Sequence, residues 1–225
     1  MKNHFFPIKN NRKIDERKKI LDYIDLKRIN SSKLESYLKF NKSYFDDINL
    51  GIGYGAYKND GRFEESAKKF IKFFNLKKNF KILEIGCAKG FLLYEFKKKG
   101  MDVFGIDASK YAAKKSNITI RKKIKIQNIE DGIPFKENFF DLVISKDTLP
   151  LVKKSKINKV IREIIRVTKN KKNIFLYMQG VSKEKNSKLL KKWEPTTQIR
   201  WTSKQWKVKL KSLDYNGYYE IKHLF

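Results

Sequence analysis

From residue 81 onward the chain alternates short apolar runs with longer segments whose apolar positions recur every three or four residues. The stretch KILEIGCAKGFLLYEFKKKGMDVFGID, residues 81 to 107, sets the unit. It reads as a buried strand (Ile82, Leu83, Ile85), a small-residue turn, a helix stopped at Gly100, and a second strand (Val103, Phe104, Ile106) closed by Asp107. Ser109 begins a short helix through Lys115, and Ile124 and Ile126 form a third strand ending at Gln127 and Asn128. Leu142 to Ile144 is a fourth strand. Ile157, Val160, Ile161, Ile164 and Ile165 then line a helix ending near Lys169 and Asn170, and Ile174 to Met178 is a fifth strand. Residues 181 to 200 are polar. Thr202 caps a helix with Trp206 and Leu210 inside, and the final YYEIKHLF alternates like a strand. Strands separated by helices predict an α/β fold, a doubly wound and mostly parallel sheet.

Upstream the pattern is helical. Residues 1 to 13 are polar and basic and read as a mobile end. Ile14, Ile20, Leu21, Ile24 and Ile29 form one stripe, and Leu34, Tyr37, Leu38, Phe45 and Ile48 a second, with Ser31 or Ser32 as its N-cap. These helices are either a lid over a ligand or simply packed outer helices. The loop GIGYGAYKNDGR, 51 to 62, leads into an amphipathic helix marked by Phe63, Ala67, Phe70, Ile71 and Phe74, with Asp60 as N-cap. Capping leaves Tyr54, Tyr57 and Arg62 unexplained; a glycine-rich loop carrying them suits closure over a ligand, with contact to a carboxylate or phosphate. The division expected is residues 1–60 as an N-terminal helical segment with its lid loop, and 61–225 as the α/β domain.

Composition narrows this only a little. An apolar fraction of 40%, with 17 Phe and 11 Tyr, supplies a core. The single Cys87 excludes an internal disulfide or a cysteine-based metal cluster, and nothing in the pattern points to a metal. No apolar run reaches the ~20 residues that span a bilayer, and the first residues lack a secretion signal's apolar core, so a cytoplasmic protein is expected. Net charge is +29, which invites nucleic acid as a partner. Only eight of the 53 basic residues are Arg, however, and Lys is scattered over every segment, which reads as solvated surface. Weak nonspecific nucleic-acid binding at low salt still follows.

The turn after the first strand has the form E-x-G-x-x-x-G: Glu84, Gly86, Gly90. Glycines let the backbone approach a ligand, and an acid at the tip of the next strand, Asp107, can accept hydrogen bonds from both ribose hydroxyls. A pyrophosphate site would need G-x-G-x-x-G; here Ala88 takes the second glycine's place, and Glu84 would face phosphates with the wrong sign.

Four blocks in this order, LEIGCAKG, GIDAS, IPFKENFFDLVIS and IREIIRVTKNKKNIFL, give residues from about 60 to 180 a clear resemblance to class I S-adenosylmethionine-dependent methyltransferases of the small-molecule group. The resemblance implies S-adenosylmethionine as cofactor, with no phosphate to repel Glu84. It sets Gly86, Cys87 and Ala88 against the methionine part, Gly90 at the helix start, Glu84 as a brace offsetting positive charge, Asp107 on the ribose and Ala108 beside the adenine. Asn128 and Ile129 fall where the family puts an acid and an apolar residue around the adenine edge. Asn128 departs from that pattern, and Glu130 is the alternative. Ser145 and Lys146 would sit near the transferred methyl. The family's sheet usually finishes with an antiparallel pair, so either this sheet is shortened or a strand hides in 186–201.

A hydroxyl acceptor would also need a general base, and Asp147, just past the fourth strand, is the best-placed carboxylate. KDTLP stands where base-amine methylating enzymes carry a DPPY or NPPY tetrad, and there is no second cysteine for covalent pyrimidine chemistry. His4 and His223 read as incidental. Trp193, Trp201 and Trp206 read as core, with an acceptor wall as the other option. The expected function is methyl transfer to a small molecule, with Tyr57 and Arg62 touching the acceptor; the pre-motif GYGAYKNDGRF resembles enzymes of sugar or polysaccharide precursors. The alternative is an RNA methyltransferase or a non-catalytic, basic nucleic-acid-binding protein.

Overall fold

A computed structural model describes residues 5–6, 14–23, 29–50 and 52–225. Its centre is one sheet of six strands: β1 Lys81–Ile85, β2 Asp102–Asp107, β3 Ile124–Ile126, β4 Leu142–Lys146, β5 Ile174–Gly180 and β6 Tyr218–His223. The order is β3-β2-β1-β4-β5-β6, and every pairing is parallel. Four of the five residues of β1 are buried, as a central strand covered on both faces requires.

Among the described residues four helices precede the sheet, the first three being α1 Ile14–Tyr23, α2 Ser31–Leu38 and α3 Lys42–Asp46. α4 Arg62–Phe73 and α5 Phe91–Lys98 cover one face. α6 Lys110–Lys114 and α7 Ile118–Arg121 lead into β3. α8 Ile157–Val167 packs on the opposite face, and α9 Ser187–Trp193 and α10 Ser203–Lys211 join β5 to β6. Ile157, Val160, Ile161, Ile164 and Val167 put a fully apolar stripe of α8 against Val143, Ile174 and Leu176. On the other face Phe70 meets Phe175 edge-on at 5.1 Å, and Phe5 stacks on Phe70 at 4.5 Å. Among the described residues no helix is long and apolar enough to cross a membrane.

Several expectations need correction. The sheet is doubly wound and parallel as expected, and of the two alternatives for its end it is the shortened one: residues 187 to 193 form a helix, and β6 lies directly beside β5 after a helical crossover. Asn30, not Ser31 or Ser32, caps α2, its side chain accepting from the amides of Ser32 and Lys33. Gly61, at φ +77°, holds the cap position of α4, one residue after Asp60. α8 stops at Val167 because Thr168 turns extended and bridges to Phe140. α7, which the sequence reading did not place, is capped by Asn117, whose side chain accepts from the Thr119 amide at 3.0 Å. Residues Tyr218 and Tyr219 of β6 are both exposed, so the strand is an edge without buried alternation. Phe5 and Phe6 are buried rather than part of a mobile polar end; the rest of 1–13, with His4, and also Ile24 lie outside the described residues.

Residues 29 to 60 pack over the carboxyl ends of β1, β2 and β4, and polar contacts fix them there. Lys89 Nζ donates to both carboxylate oxygens of Asp46 at 2.7 Å and to the Tyr57 carbonyl at 2.8 Å. Tyr111 donates its hydroxyl to Asp46 at 2.7 Å, and Ser109 donates to the Phe40 carbonyl. Burial would raise the Asp46 carboxyl, but the hydrogen bonds from Lys89 and Tyr111 hold it below its ordinary value. On the far side Tyr37 donates to Glu194 at 2.7 Å, Arg17 to the Leu224 carbonyl at 2.8 Å, and Lys192 to the Leu21 carbonyl at 2.6 Å.

Lys89 is buried, so removing its charge strands Asp46. Lys89→Met is expected to cost about 2–4 kcal/mol of unfolding free energy in urea denaturation. Adding Asp46→Leu should recover part of that loss, and strictly additive costs would show the pair uncoupled.

Candidate functional site

The turn from β1 to α5 is shaped by left-handed backbone. Gly86 has φ +70°, and a Cβ there would lie 1.9 Å from Thr148 Oγ1. Thr148 in turn donates to the Ile85 carbonyl at 3.1 Å, tying the turn to the loop after β4. Gly90 caps α5 at φ +68°, where a Cβ would meet Ile120 at 2.6 Å. Ala88, also left-handed, sends its amide to Asp107 Oδ2 at 2.6 Å, and the Ser109 amide meets Oδ1 at 2.7 Å. Burial raises the Asp107 carboxyl above its ordinary value against these two bonds. Each oxygen keeps further acceptor capacity for a ligand's hydroxyls.

A cavity of about 130 Å³ opens beside this turn. Gly86, Ala88, Asp107, Ala108, Asn128 and Ile129 line it from below, and Phe40, Tyr44, Phe45 and Tyr54 roof it from the N-terminal segment. Asn128 is exposed, and its side-chain oxygen accepts from the Glu130 amide at 3.0 Å, capping the turn Ile129–Asp131. Glu130, the alternative acid, also lines the cavity, and its carboxylate accepts from the Lys153 amide at 2.7 Å. The volume is below the roughly 300–1,000 Å³ of ordinary ligand sites.

A second cavity of about 790 Å³ lies on the α4 side of the sheet. Tyr57 and Arg62 line this one, with Phe5, Phe6, Tyr177 and Lys222. Arg62 is already committed: Nε donates to Asp60 at 2.8 and 2.9 Å, and this pairing pulls the Asp60 carboxyl down to about 2. Tyr57 packs between Tyr54 and Phe91, at 4.6 and 4.8 Å.

Tyr54, Lys146 and Asp147 line both cavities. Asp147 holds φ +57°, a strained backbone for a non-glycine residue, and its amide is fixed by the Tyr177 carbonyl at 2.8 Å. One carboxylate oxygen pairs with Lys146 Nζ at 2.5 Å; the other is buried without a partner. Burial pulls the Lys146 ammonium down, but the Asp147 carboxylate outweighs it, and Lys146 stays charged. The unpartnered oxygen of Asp147 thus lies at a strained elbow between the two cavities.

Four of the sequence-derived residues line neither cavity. Cys87 packs its sulfur toward Gly105, Gly90 serves the helix start, and Ser145 is fully buried with an unpartnered hydroxyl. Glu84 lies beneath the turn, and Oε2 has no hydrogen-bond partner. Burial pushes its carboxyl up to about 8, with the Asp107 charge adding and Lys146 opposing. Such a group favours a positive ligand nearby. Trp193, Trp201 and Trp206 line neither cavity; Trp206 is fully buried against Trp201. His223 bonds Ser203 on the surface at 2.6 Å. Sequence reasoning missed Thr148, Lys89, Asp46, Tyr111 and Lys222. Only Lys89, set inside the glycine turn, carried a signal that a search for charged residues in ligand loops would have caught.

Residues 76–217, well over half of the chain, match the profile of a family described as a methyltransferase domain. An uncharacterized methyltransferase of Synechocystis sp. is 28% identical over 89 residues, covering 40% of this chain and 42% of that protein, so the match spans less than half of the relative's length. Among solved structures, the YcgJ protein from Bacillus subtilis superposes with a TM-score of 0.54 at 18% identity, over 65% of this chain and 66% of that one. A putative sarcosine dimethylglycine methyltransferase from Galdieria sulphuraria gives 0.55 at 14% identity, over 68% and 59%. At these identities the likeness is one of fold.

Gly86 and Gly55 share nearly the same positive φ, but only Gly86 would drive a Cβ into a neighbour. Both Ala variants carry about 1–3 kcal/mol of backbone strain. Gly86→Ala is expected to lose clearly more stability than Gly55→Ala in chemical denaturation, the excess measuring the Thr148 contact.

Proposed function

The chain belongs to the methyltransferase domain family, and on that premise we propose that it transfers a methyl group from S-adenosylmethionine to a small ring-bearing acceptor, such as a sugar. The donor would occupy the first cavity and the acceptor the second. The observation that supports this reading is the sharing of Tyr54, Lys146 and Asp147 between the two cavities, a junction at which donor and acceptor would meet.

The residues of the first cavity fit this cofactor. Asp107 would accept from the ribose hydroxyls, Ala108 and Ile129 would flank the adenine, and Gly86 and Ala88 would admit the methionine part. Glu84, whose Oε2 lacks a partner, would supply negative charge, once ionised, beneath a ligand carrying a sulfonium and an ammonium. S-adenosylmethionine, when bound, supplies a methyl group on a centre already activated for departure. The chain's part is to orient and to exclude water, which for well-placed reactants is worth up to about 7–11 kcal/mol. Asp147 receives the acceptor's proton, with Lys146 holding the carboxylate in place. Phe40, Tyr44, Phe45 and Tyr54 close the roof, and Lys89 with Asp46 keeps it closed.

Asp147→Asn is expected to abolish transfer from labelled S-adenosylmethionine while leaving S-adenosylhomocysteine binding in calorimetry within a few-fold of the parent. Equal loss of both would remove Asp147 from the chemistry, and no binding by the parent protein would sink the whole reading.

The pH dependence has a definite sign. Glu84 must be ionised to attract a cation, and its carboxyl sits at about 8. Affinity for S-adenosylmethionine should therefore rise with pH, by at most about tenfold per unit, and level off above the Glu84 value, with proton release on binding below it. Titrations in buffers of different ionisation enthalpy measure that release, and Glu84→Gln should flatten the profile.

A further inference from the structure

The second cavity holds a cation that the proposed chemistry leaves unused. Lys222 on β6 is half-buried and forms no ion pair or hydrogen bond among the described residues. The other cations of the cavity are engaged: Arg62 by Asp60, Lys146 by Asp147, and Lys69 by a partner of its own. Burial draws the Lys222 ammonium below its ordinary value, and Arg17 and Lys146 add to this while Asp147 opposes it. Removing an ammonium from water without a counter-charge is unfavourable, and a ligand anion would relieve it.

The sheet register says where that anion would lie. Lys146 pairs with Tyr177, and Gln179 pairs with Lys222, so these four side chains share one face at the carboxyl ends of β4, β5 and β6. Lys146 and Asp147 stand at the junction with the first cavity, and Lys222 stands two strands away. Phe6 and Tyr177 wall the space beside Lys146, their rings 5.5 and 5.4 Å from its ammonium. The cavity is thus reactive at one end, aromatic along its side and cationic at the other end.

We infer that Lys222 is the anchor of an anion-binding end of the acceptor cavity, and that the methyl acceptor carries a carboxylate or phosphate on a flat, ring-shaped body. The inference rests on the second cavity being the acceptor's. Arg62, which the sequence offered for this contact, has its charge paired with Asp60, and Lys222 lines the same cavity 160 positions later in the chain.

Calorimetry with sodium benzoate, phenyl phosphate and the neutral isostere benzamide tests this, each with and without saturating S-adenosylhomocysteine. At least one anion should bind more tightly than benzamide, and the tighter of the two identifies the group. Lys222→Gln should weaken the anions by about tenfold or more and leave benzamide unchanged. Lys222→Arg should restore most of the anion affinity, and the exposed control Lys204→Gln should alter nothing. Equal binding of all three probes, no anion binding, or a uniform loss in Lys222→Gln would overturn the inference. Anion discrimination that persists while S-adenosylhomocysteine fails to bind would instead overturn the donor assignment and leave the anion site standing.

Discussion

Lys89 sits inside the glycine turn that forms the floor of the first cavity, yet its ammonium reaches outward to Asp46, on the segment that forms the roof. Floor and roof are thereby one electrostatic unit. The pair is mostly out of water, and Tyr111 and the Tyr57 carbonyl complete its hydrogen bonds, so neither partner is left with an unmet charge. The aromatic rings of Phe45, Tyr54 and Tyr57 pack around this contact, at 5.9 Å for Phe45–Tyr54 and 4.6 Å for Tyr54–Tyr57. They roof the first cavity and wall the second. Breaking the ion pair would free the roof, so the geometry of both cavities depends on it.

In a chain of net charge +29, acids are scarce, and the ones placed inside carry the design. Asp46 holds the roof, Asp107 fixes the turn through the Ala88 and Ser109 amides, Asp147 forms the junction, and Glu194 secures the far side through Tyr37. Each meets hydrogen-bond donors or a cation. Glu84 and Asp147 each keep one buried oxygen unmatched, and the half-buried Lys222 has no partner among the described residues.

The sheet does not by itself select the chemistry. An all-parallel order β3-β2-β1-β4-β5-β6 is also that of dinucleotide-binding domains. The difference lies in the turn, where Ala88 replaces a glycine and a buried carboxyl, Glu84, lies beneath the backbone in place of a phosphate-binding group. A family match over residues 76–217 agrees with that difference.

Much of the fold was legible in the chain because strand and helix periodicities are near-neighbour properties. The first five strands, the stripe of α8 and the Thr202 cap all follow from residues within one or two turns of each other. Gly86, Asp107 and Asp147 were legible for a related reason: ligand sites of open α/β sheets gather at strand ends, which the pattern locates. Tertiary structure alone decided which charges meet. Lys89 finds Asp46 43 residues away, and Tyr37 finds Glu194 157 away. It also decided that β6 runs parallel beside β5 and brings Lys222 to the cavity. Apolar spacing records which face of an element is buried; the partner of a buried charge depends on which distant segment is folded against it, and no local pattern carries that.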